Sequence, residues 1–271
     1  MKSVRFIGPG RAGLSLARAL SGAGFRVAGI LGRQDDQTEA AQGVDSLVIA
    51  TPDDVVASVA AGVRPAEGCV VVHLAASLGL DVLGPHVRRA SLHPLVPLPN
   101  PTIGEQRLTG GISFAVAGDP MAEEMARALG GRPFTVADAD RAAYHAAACV
   151  AANHVVALLG QVERIATAAG LDVDAFVGLS RAAIDDVARL GPAAALTGPA
   201  ARGDWSTLER HRRALPEDER TGYNAGVALA NRLAHDRGTT RRPGGTAPVP
   251  EHSPTEPTEP TEPTDRVRAT V

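Results

Sequence analysis

The chain has 271 residues, of which 44% are hydrophobic and 21% are charged. This composition is typical of a globular protein that buries a core, and the length suffices for one large domain or two ordinary ones. A formal net charge of -3 excludes a general attraction to nucleic acid or to anionic membranes.

The first half of the chain alternates apolar strand-like runs with helix-favouring segments. In chain order the runs are VRFIG, RVAGIL, SLVIAT, CVVVHLAA, GISFAVAGD and PFTVAD. Short strands that are continuous in Val, Ile and Ala, with helices between them, predict a parallel sheet covered on both faces. We therefore expect an α/β Rossmann domain, with a doubly wound parallel sheet, over residues 1–137.

The second half changes character and predicts an all-helical domain over residues 138–236. A long Ala-rich stretch follows residue 138, and VDAFVGLSRAAIDDVARL repeats apolar residues at helical spacing. Its most apolar run is interrupted by Asn153 and His154, so no uninterrupted span of membrane length is expected. Residues 237–271 contain a Pro/Glu/Thr repeat without apolar residues, which predicts a disordered tail.

The opening strand leads into a glycine turn, G-x-G-x-x-G, formed by Gly8, Gly10 and Gly13. The first glycine permits a tight turn, the second lets a pyrophosphate approach the backbone, and the third lets the following helix pack closely. Arg11 and Ala12 begin that helix, whose free N–H groups favour phosphate. The strand before and the helix after the turn predict dinucleotide binding.

The second predicted strand ends at Arg33, where NAD-binding domains carry an acid for the ribose hydroxyls. A guanidinium would instead pair with the 2′-phosphate of NADP, so NADP is the predicted cofactor. A solvated loop arginine is the plainer alternative, and a shifted strand end would bring Asp35 or Asp36 into the acid's place. After the next strands, Thr51, Pro52 and Ala75 are predicted to lie along the cofactor.

Candidate catalytic residues are constrained by the scarcity of lysine. Lys2, on the opening strand, is the only lysine, so a lysine-based mechanism on the long helix is excluded. His145, Cys149 and Asn153 lie four apart on that helix, within a stripe of about 80°. We expect His145 to be a proton donor and Asn153 to bind a carbonyl or carboxylate, with packing of His145 as the alternative.

Three further segments carry candidate residues. His93 precedes a proline at an expected strand end and is predicted to overlook the same crevice, as a second candidate proton donor, with a plain His-Pro turn as the alternative. Asp53 is expected to cap the helix that follows the third strand. Arg202 is predicted to clamp a substrate carboxylate, whereas Asp204 is expected to cap a helix.

Taken together, the glycine turn and the motifs LHP, YHAAACVAANHVVAL and ALTGPAARGD resemble the Rossmann-like family whose second half is domain of unknown function 2520. That family is similar to ketopantoate reductase, pyrroline-5-carboxylate reductase and prephenate dehydrogenase. The resemblance implies an NADP-linked oxidoreductase. It also implies a helical second domain, similar to the C-terminal domain of 6-phosphogluconate dehydrogenase, through which two copies of this chain form a homodimer. The positions matching the family's motifs are Tyr144, His145, Asn153, Thr197, Gly198, Pro199, Arg202 and Asp204.

Two functional hypotheses follow. The first is an NADPH-dependent reductase of a small carboxylate-bearing 2-oxo acid, resembling ketopantoate, or of an imino acid. The second is an NADP-binding sensor or partner-binding module without turnover, which the missing lysine motivates. Neither hypothesis requires a metal, nucleic acid or a membrane, and the lack of a recognisable signal peptide makes the cytoplasm the expected location.

Overall fold

The structure, a computed structural model, describes residues 1–240 and divides into two compact units, with the second unit beginning at Ile165. The first unit contains a seven-stranded sheet in the order β2-β1-β3-β4-β5-β6-β7. Its strands are β1 (Ser3–Ile7), β2 (Arg26–Leu31), β3 (Ser46–Ile49), β4 (Val70–His73), β5 (Arg89–Pro94), β6 (Ser113–Gly118) and β7 (Arg132–Thr135). The predicted Rossmann-type α/β fold is confirmed.

The sheet departs from a purely parallel arrangement at one edge. Strands β1 to β5 are parallel, whereas β6 runs antiparallel to β5, and β7 is parallel to β6. The backbone N–H of Leu95 donates to the carbonyl of Ser113, so the chain re-enters the sheet beside the end at which it left β5. Without a crossover to the opposite end, the next strand must run backwards.

Strands β3 and β4 are almost entirely apolar because both faces of the sheet are covered there. Successive side chains point to opposite faces, so Val4 and Phe6 pack into one core while Ile7 packs into the other. Strand β3 divides likewise, with Val48 on the first side and Leu47 on the second. This two-sided burial is the physical reason that β3 and β4 lack polar alternation.

Helices cover the sheet, and two of them approach each other unusually closely. They are α1 (Arg11–Gly22), α2 (Val56–Gly62), α3 (Pro101–Leu108) and α4 (Met121–Ala128). Gly104 of α3 faces Ser15 of α1, where an added β-carbon would stand 2.0 Å from the serine Oγ. Ser15 itself is fully buried and donates to the carbonyl of Arg11, so glycine is the residue that fits opposite it.

A long helical segment follows the sheet. It comprises α5 (Arg141–Cys149), a π-helical turn (Val150–His154) and α6 (Val155–Ala168). By length and composition the run Asp138–Ala168, with a mean hydropathy of 1.4 in its most apolar window, could cross a membrane. The expectation that no span reaches that length was therefore wrong. A single such helix is weak evidence, since a helix covered by another protein surface has the same composition.

The second unit is helical, as expected. Its helices are α7 (Val173–Leu190), α8 (Pro192–Ala195), α9 (Pro199–Arg202), α10 (Trp205–Ala214) and α11 (Arg220–Thr240). Asp204 accepts from the N–H of Thr207 at 3.1 Å, which confirms it as the cap of α10. Helix α11 continues into the predicted tail, and the remainder of that tail, 241–271, lies outside the described residues.

Candidate active site

The glycine turn between β1 and α1 has three distinct glycine environments. Gly8 adopts φ +107°, and an added β-carbon would stand 2.6 Å from the carbonyl oxygen of Ala50. A β-carbon on Gly13 would lie 2.2 Å from the carbonyl oxygen of Gly8. One on Gly10 would meet nothing within 4 Å. The first and third glycines are therefore required by packing, whereas the second faces open space.

This turn lines a cleft of about 850 Å³ at the carboxyl ends of the parallel strands. Strand β2 lies on one side of β1 and β3 on the other, so the cleft sits where the strand order reverses. Ligands of open α/β sheets bind at such a point. The predicted cofactor residues that line the cleft are Gly8, Gly10, Arg33, Thr51 and Pro52. Arg11 and Ala12 begin α1 beside it, and Ala75 is buried outside its lining.

The loop after β2 brings both signs of charge to this cleft. Arg33 is exposed and makes no hydrogen bond or ion pair with any residue in the described range 1–240. Asp35 folds back, and its Oδ2 accepts from the N–H of Gly32 at 2.7 Å. Asp36 accepts from the N–H of Thr38, which holds the pKa of the Asp36 carboxyl below its usual value. The acids thus stabilise the loop while the guanidinium stays available.

One polar atom in the cleft wall lacks a partner. The hydroxyl of Thr51, directly after β3, is buried without a hydrogen bond to any described residue. A buried hydroxyl without a partner is costly, so a bound polar group would satisfy it. Neighbouring Asp53 was expected to cap a helix, and that expectation was wrong. Its Oδ2 accepts from the hydroxyl of Ser77 at 3.1 Å, because a 3-10 turn from Asp53 to Val55 precedes α2.

These features fit a dinucleotide. Gly10 leaves room for a pyrophosphate beside the first N–H groups of α1, and Thr51 offers its buried hydroxyl in the same cleft. Arg33 lines the same cleft. Within residues 1–240 no group of three His, Cys, Asp or Glu side chains is placed to hold a metal ion.

A second cleft, of about 750 Å³, lies at the end of β5 and along α5 and the π-helical turn. Most of its wall is apolar, with polar groups from His93, Tyr144, His145, Cys149 and Asn153. The predicted stripe of His145, Cys149 and Asn153 is therefore brought together, whereas the exposed His154 does not line this cleft. A π-helical turn holds more residues than an α-helical turn, which keeps Asn153 in line with the earlier two.

Two polar contacts fix the register of α5 against β5. Arg141 is buried, and it donates to Asp138 at 2.7 Å and to the hydroxyl of Ser91 at 2.8 Å. One helical turn further on, the hydroxyl of Tyr144 lies 2.6 Å from Nδ1 of His93. Ser91 and His93 are two apart and so share one face of the strand.

The His93–Tyr144 contact joins residues 51 positions apart, and no spacing rule connects LHP with the later YH. Only the family resemblance pointed to Tyr144. The tyrosine ring also packs edge-on against His93 and Phe134, with centroid distances of 5.6 and 5.9 Å. Its hydroxyl is therefore held by a short hydrogen bond and by two aromatic neighbours.

The protonation of these groups is set mainly by burial. Burial, with a smaller electrostatic contribution from neighbouring His145, lowers the pKa of His93 to about 4. Burial also raises the pKa of Tyr144 above its ordinary value. At neutral pH the imidazole of His93 is thus uncharged and the phenol keeps its proton. His73, at the end of β4, is fully buried and has a pKa lowered to about 4 by burial and by Arg141.

The predicted residues of the second unit lie on and beside the short helix α9. Arg202 ends α9, is exposed, and makes no contact with another described charge. Gly198 and Gly203 adopt φ of +92° and +68°, and Pro199 opens the short helix between them. Gly198 thus forms a tight turn before the start of the short helix. His211 lies 2.7 Å from the hydroxyl of Tyr223.

Comparisons with known proteins agree with this architecture. The family model "Domain of unknown function (DUF2520)" matches residues 112–229. No curated protein sequence matches the chain significantly. Among solved structures, protein TM1727 from Thermotoga maritima is similar with a TM-score of 0.65 at 23% identity, over 87% of this chain and 99% of that one.

Two further solved structures are described by their ligands. Pyrroline carboxylate reductase from Plasmodium falciparum, with NADP bound, gives a TM-score of 0.58 at 14% identity, covering 86% of this chain and 98% of that chain. Reductive aminase from Aspergillus terreus, in complex with NADPH and ethyl-5-oxohexanoate, gives 0.62 at 15% identity, covering 89% and 100%. These likenesses confirm the predicted fold of a Rossmann domain followed by helices. The match of residues 112–229 to this family model confirms the predicted resemblance to the Rossmann-like family that carries the domain.

Proposed function

We propose that the protein is an NADP(H)-dependent oxidoreductase that reduces a small carboxylate-bearing 2-oxo acid or the corresponding imino acid. The observation that carries the proposal is the glycine turn, in which Gly10 leaves open space beside the start of α1. The solved structures with NADP or NADPH bound support a nicotinamide cofactor for this fold.

The choice of NADP over NAD rests on the loop after β2. Arg33 is exposed, unpaired within residues 1–240, and part of the cleft wall. A guanidinium forms charge-assisted, often bidentate hydrogen bonds with phosphate, which NADP carries on its ribose and NAD lacks. The carboxylate of Asp35 already accepts a hydrogen bond from the N–H of Gly32, so it is less available to bind the ribose hydroxyls of NAD.

The substrate class rests on the second cleft. Its mostly apolar wall suits a short carbon chain, and Asn153 supplies an amide that can bind a carbonyl or carboxylate oxygen. A bound nicotinamide would supply the hydride. An imino substrate is supported to the same degree, since the reductive aminase of similar fold was also solved with cyclohexanone and allyl amine. Arg202 is proposed to clamp the carboxylate.

A homodimer formed through the helical unit is part of the proposal. Helix α7 has no buried residue, although Leu179, Val187 and Leu190 form an apolar stripe along it. Their exposed fractions are 68%, 43% and 59%. Exposed apolar stripes of this length mark interaction surfaces, and a second copy of the chain would cover this one. Sedimentation of the protein and of Leu179→Glu should show a dimer and a monomer, respectively.

The decisive experiment has two stages. Thermal shift with NADPH and with NADH tests the cofactor, because a ligand of the native state raises the melting temperature by mass action. NADPH oxidation is then followed over a panel of 2-oxo acids and cyclic imines. No binding of NADPH would overturn the proposal entirely. Tight binding without turnover of any acceptor would leave an NADP-binding sensor, the second candidate, which the pairing of the only lysine, Lys2, with Glu124 favours.

A further inference from the structure

The polar groups of the second cleft differ in how firmly they are held. The hydroxyl of Tyr144 is fixed by His93 and by the edge-on packing of two rings. His145 and Cys149 are half-buried, and neither has a hydrogen-bond partner within residues 1–240. A proton donor must be held in place before reaction to be efficient, and among these groups only the phenol meets that condition.

The same contact argues against His93 as the proton donor. Its Nδ1 is occupied by the tyrosine hydroxyl, and its ring is uncharged at neutral pH because the pKa is lowered to about 4. The titratable groups that act on this ring are Asp53, His73, Arg141 and His145. Of these, buried Arg141 and neighbouring His145 both oppose protonation of His93, so the ring stays neutral.

We propose that Tyr144 is the catalytic proton donor of the second cleft and that His93 is its positioning residue, with Nδ1–H donating to the tyrosine oxygen. This inference rests on the proposed reductase function. The substrate carbon would gain a hydride from NADPH, and the electrons of the C=O or C=N π bond would become a lone pair on the oxygen or nitrogen. That atom would take the proton of the Tyr144 hydroxyl, leaving NADP⁺ and a phenolate.

The histidine N–H would stabilise the phenolate until a solvent proton restores the phenol. A hydrogen bond to a charged acceptor is stronger than one to a neutral acceptor, so this contact would tighten as the negative charge develops. Burial alone raises the pKa of the phenol. The donated hydrogen bond would therefore partly offset the cost of burying the phenolate.

The chain provides a matched control for the tyrosine. It contains two tyrosines, and Tyr223 also contacts a histidine Nδ1, that of His211, at 2.7 Å with edge-on rings. Tyr144→Phe keeps the packing but removes the hydroxyl, so we expect kcat to fall roughly 100- to 10,000-fold with NADPH affinity unchanged. Tyr223→Phe should leave kcat within about twofold, since the pair it breaks lies outside the cleft lining. Equal losses in both variants, or none in Tyr144→Phe, would overturn the assignment.

A second measurement needs no substrate. In the Tyr223→Phe background the only tyrosine is Tyr144, so ultraviolet absorbance of tyrosinate against pH reports its ionisation alone. Adding His93→Leu should shift that titration to higher pH, because the hydrogen bond that stabilises the phenolate is lost. A shift to lower pH would mean that the ring instead accepts the tyrosine proton, and would overturn the inference. Because this readout is independent of turnover, it separates failure of the pair from failure of the reductase proposal.

The pH dependence of reduction provides a third test. A tyrosine donor stays protonated across neutral pH, so kcat should be level from about pH 6 to pH 9. A histidine donor would lose activity over the range in which histidines ordinarily titrate. A decline centred near pH 6.5 in the wild type would therefore return the role of donor to a histidine.

Discussion

The carbonyl oxygen of Gly8 lies 2.2 Å from the point where a β-carbon on Gly13 would stand, so the start of α1 is pressed against the turn that precedes it. Gly13→Ala should destabilise the fold by roughly 1–3 kcal/mol, because the obstacle is backbone and cannot swing aside. Urea unfolding at neutral pH measures this free energy. Gly22→Ala is the control: a β-carbon at the end of α1 meets nothing within 4 Å, and alanine favours a helix by up to about 1 kcal/mol.

The middle glycine separates binding from folding. Gly10 has an ordinary extended backbone, with φ −76° and ψ −178°, so Gly10→Ala should leave the free energy of unfolding nearly unchanged. The added methyl group would occupy the space beside the helix start and weaken NADPH binding by about tenfold or more. Calorimetric titration with NADPH would show this loss. Unchanged affinity in a folded Gly10→Ala protein would contradict the role given to the glycine turn.

Arg33 and Asp35 should act on cofactor choice in opposite directions. Arg33→Gln removes the positive charge and should lower the affinity for NADPH by on the order of tenfold, while the affinity for NADH stays nearly unchanged. The effect on NADPH is modest because the site is exposed. Asp35→Asn keeps an oxygen to accept from Gly32 and removes a negative charge near the phosphate. It should strengthen NADPH slightly. The measurement is the ratio of the dissociation constants of NADH and NADPH, taken at two salt concentrations. A ratio that Arg33→Gln leaves unaltered would mean that Asp35 or Asp36, and not Arg33, determines the choice of cofactor.

Buried histidines should make the fold acid-sensitive. The pKa of His73 is about 4 in the native state, whereas the ordinary pKa of histidine, expected in the unfolded chain, is 6.5. Between these two pH values the ring is therefore protonated in the unfolded chain and neutral in the native state. Stability is thus full above pH 6.5 and declines as the pH falls toward 4, by at most about 3 kcal/mol for this ring. His73→Leu should flatten that decline and cost little at pH 7, where neither ring nitrogen has a partner among the described residues. Urea midpoints at pH 7, 6, 5 and 4 would test both claims; parallel declines in the two proteins would refute them.

The contact between α1 and α3 should show strong coupling. Gly104→Ala drives a methyl group onto the hydroxyl of Ser15 and should cost roughly 1–3 kcal/mol. Ser15→Gly should cost roughly 0.5 kcal/mol through helix propensity. In the double variant the obstacle is gone, so its cost should be close to that of Ser15→Gly alone. Additive costs would show that the two helices do not meet as described.

Much of the fold could be predicted from the sequence, because an element buried against the core leaves a mark in neighbouring residues, namely its pattern of apolar side chains. The apolar runs of β1 to β4 and the helical spacing of apolar residues in α7 are such marks, and both are present in the structure. The direction of β6 was missed because it depends on where the chain re-enters the sheet. That point is fixed by Leu95 meeting Ser113 across 18 positions, and no run or period records it.

The candidate site divides in the same way. The glycine turn and its cleft could be predicted because Gly8, Gly10 and Gly13 are neighbours in the chain and their roles follow from backbone sterics. The pairing of Tyr144 with His93 joins a helix to a strand. Asp53 accepts a hydrogen bond from the hydroxyl of Ser77 and does not cap a helix. Contacts of this kind depend on how elements pack, which residue types alone do not specify.

The pairing of Lys2 with Glu124 of α4 has a practical consequence for anyone handling this protein. Reagents that modify primary amines have only this side chain and the amino terminus of the chain shown to attack, and no lysine lines either cleft. Dyes, cross-linkers and resin supports coupled through amines would therefore leave the glycine turn and the tyrosine undisturbed. The molecule can be tethered at a defined place while it is still able to meet small molecules from solution.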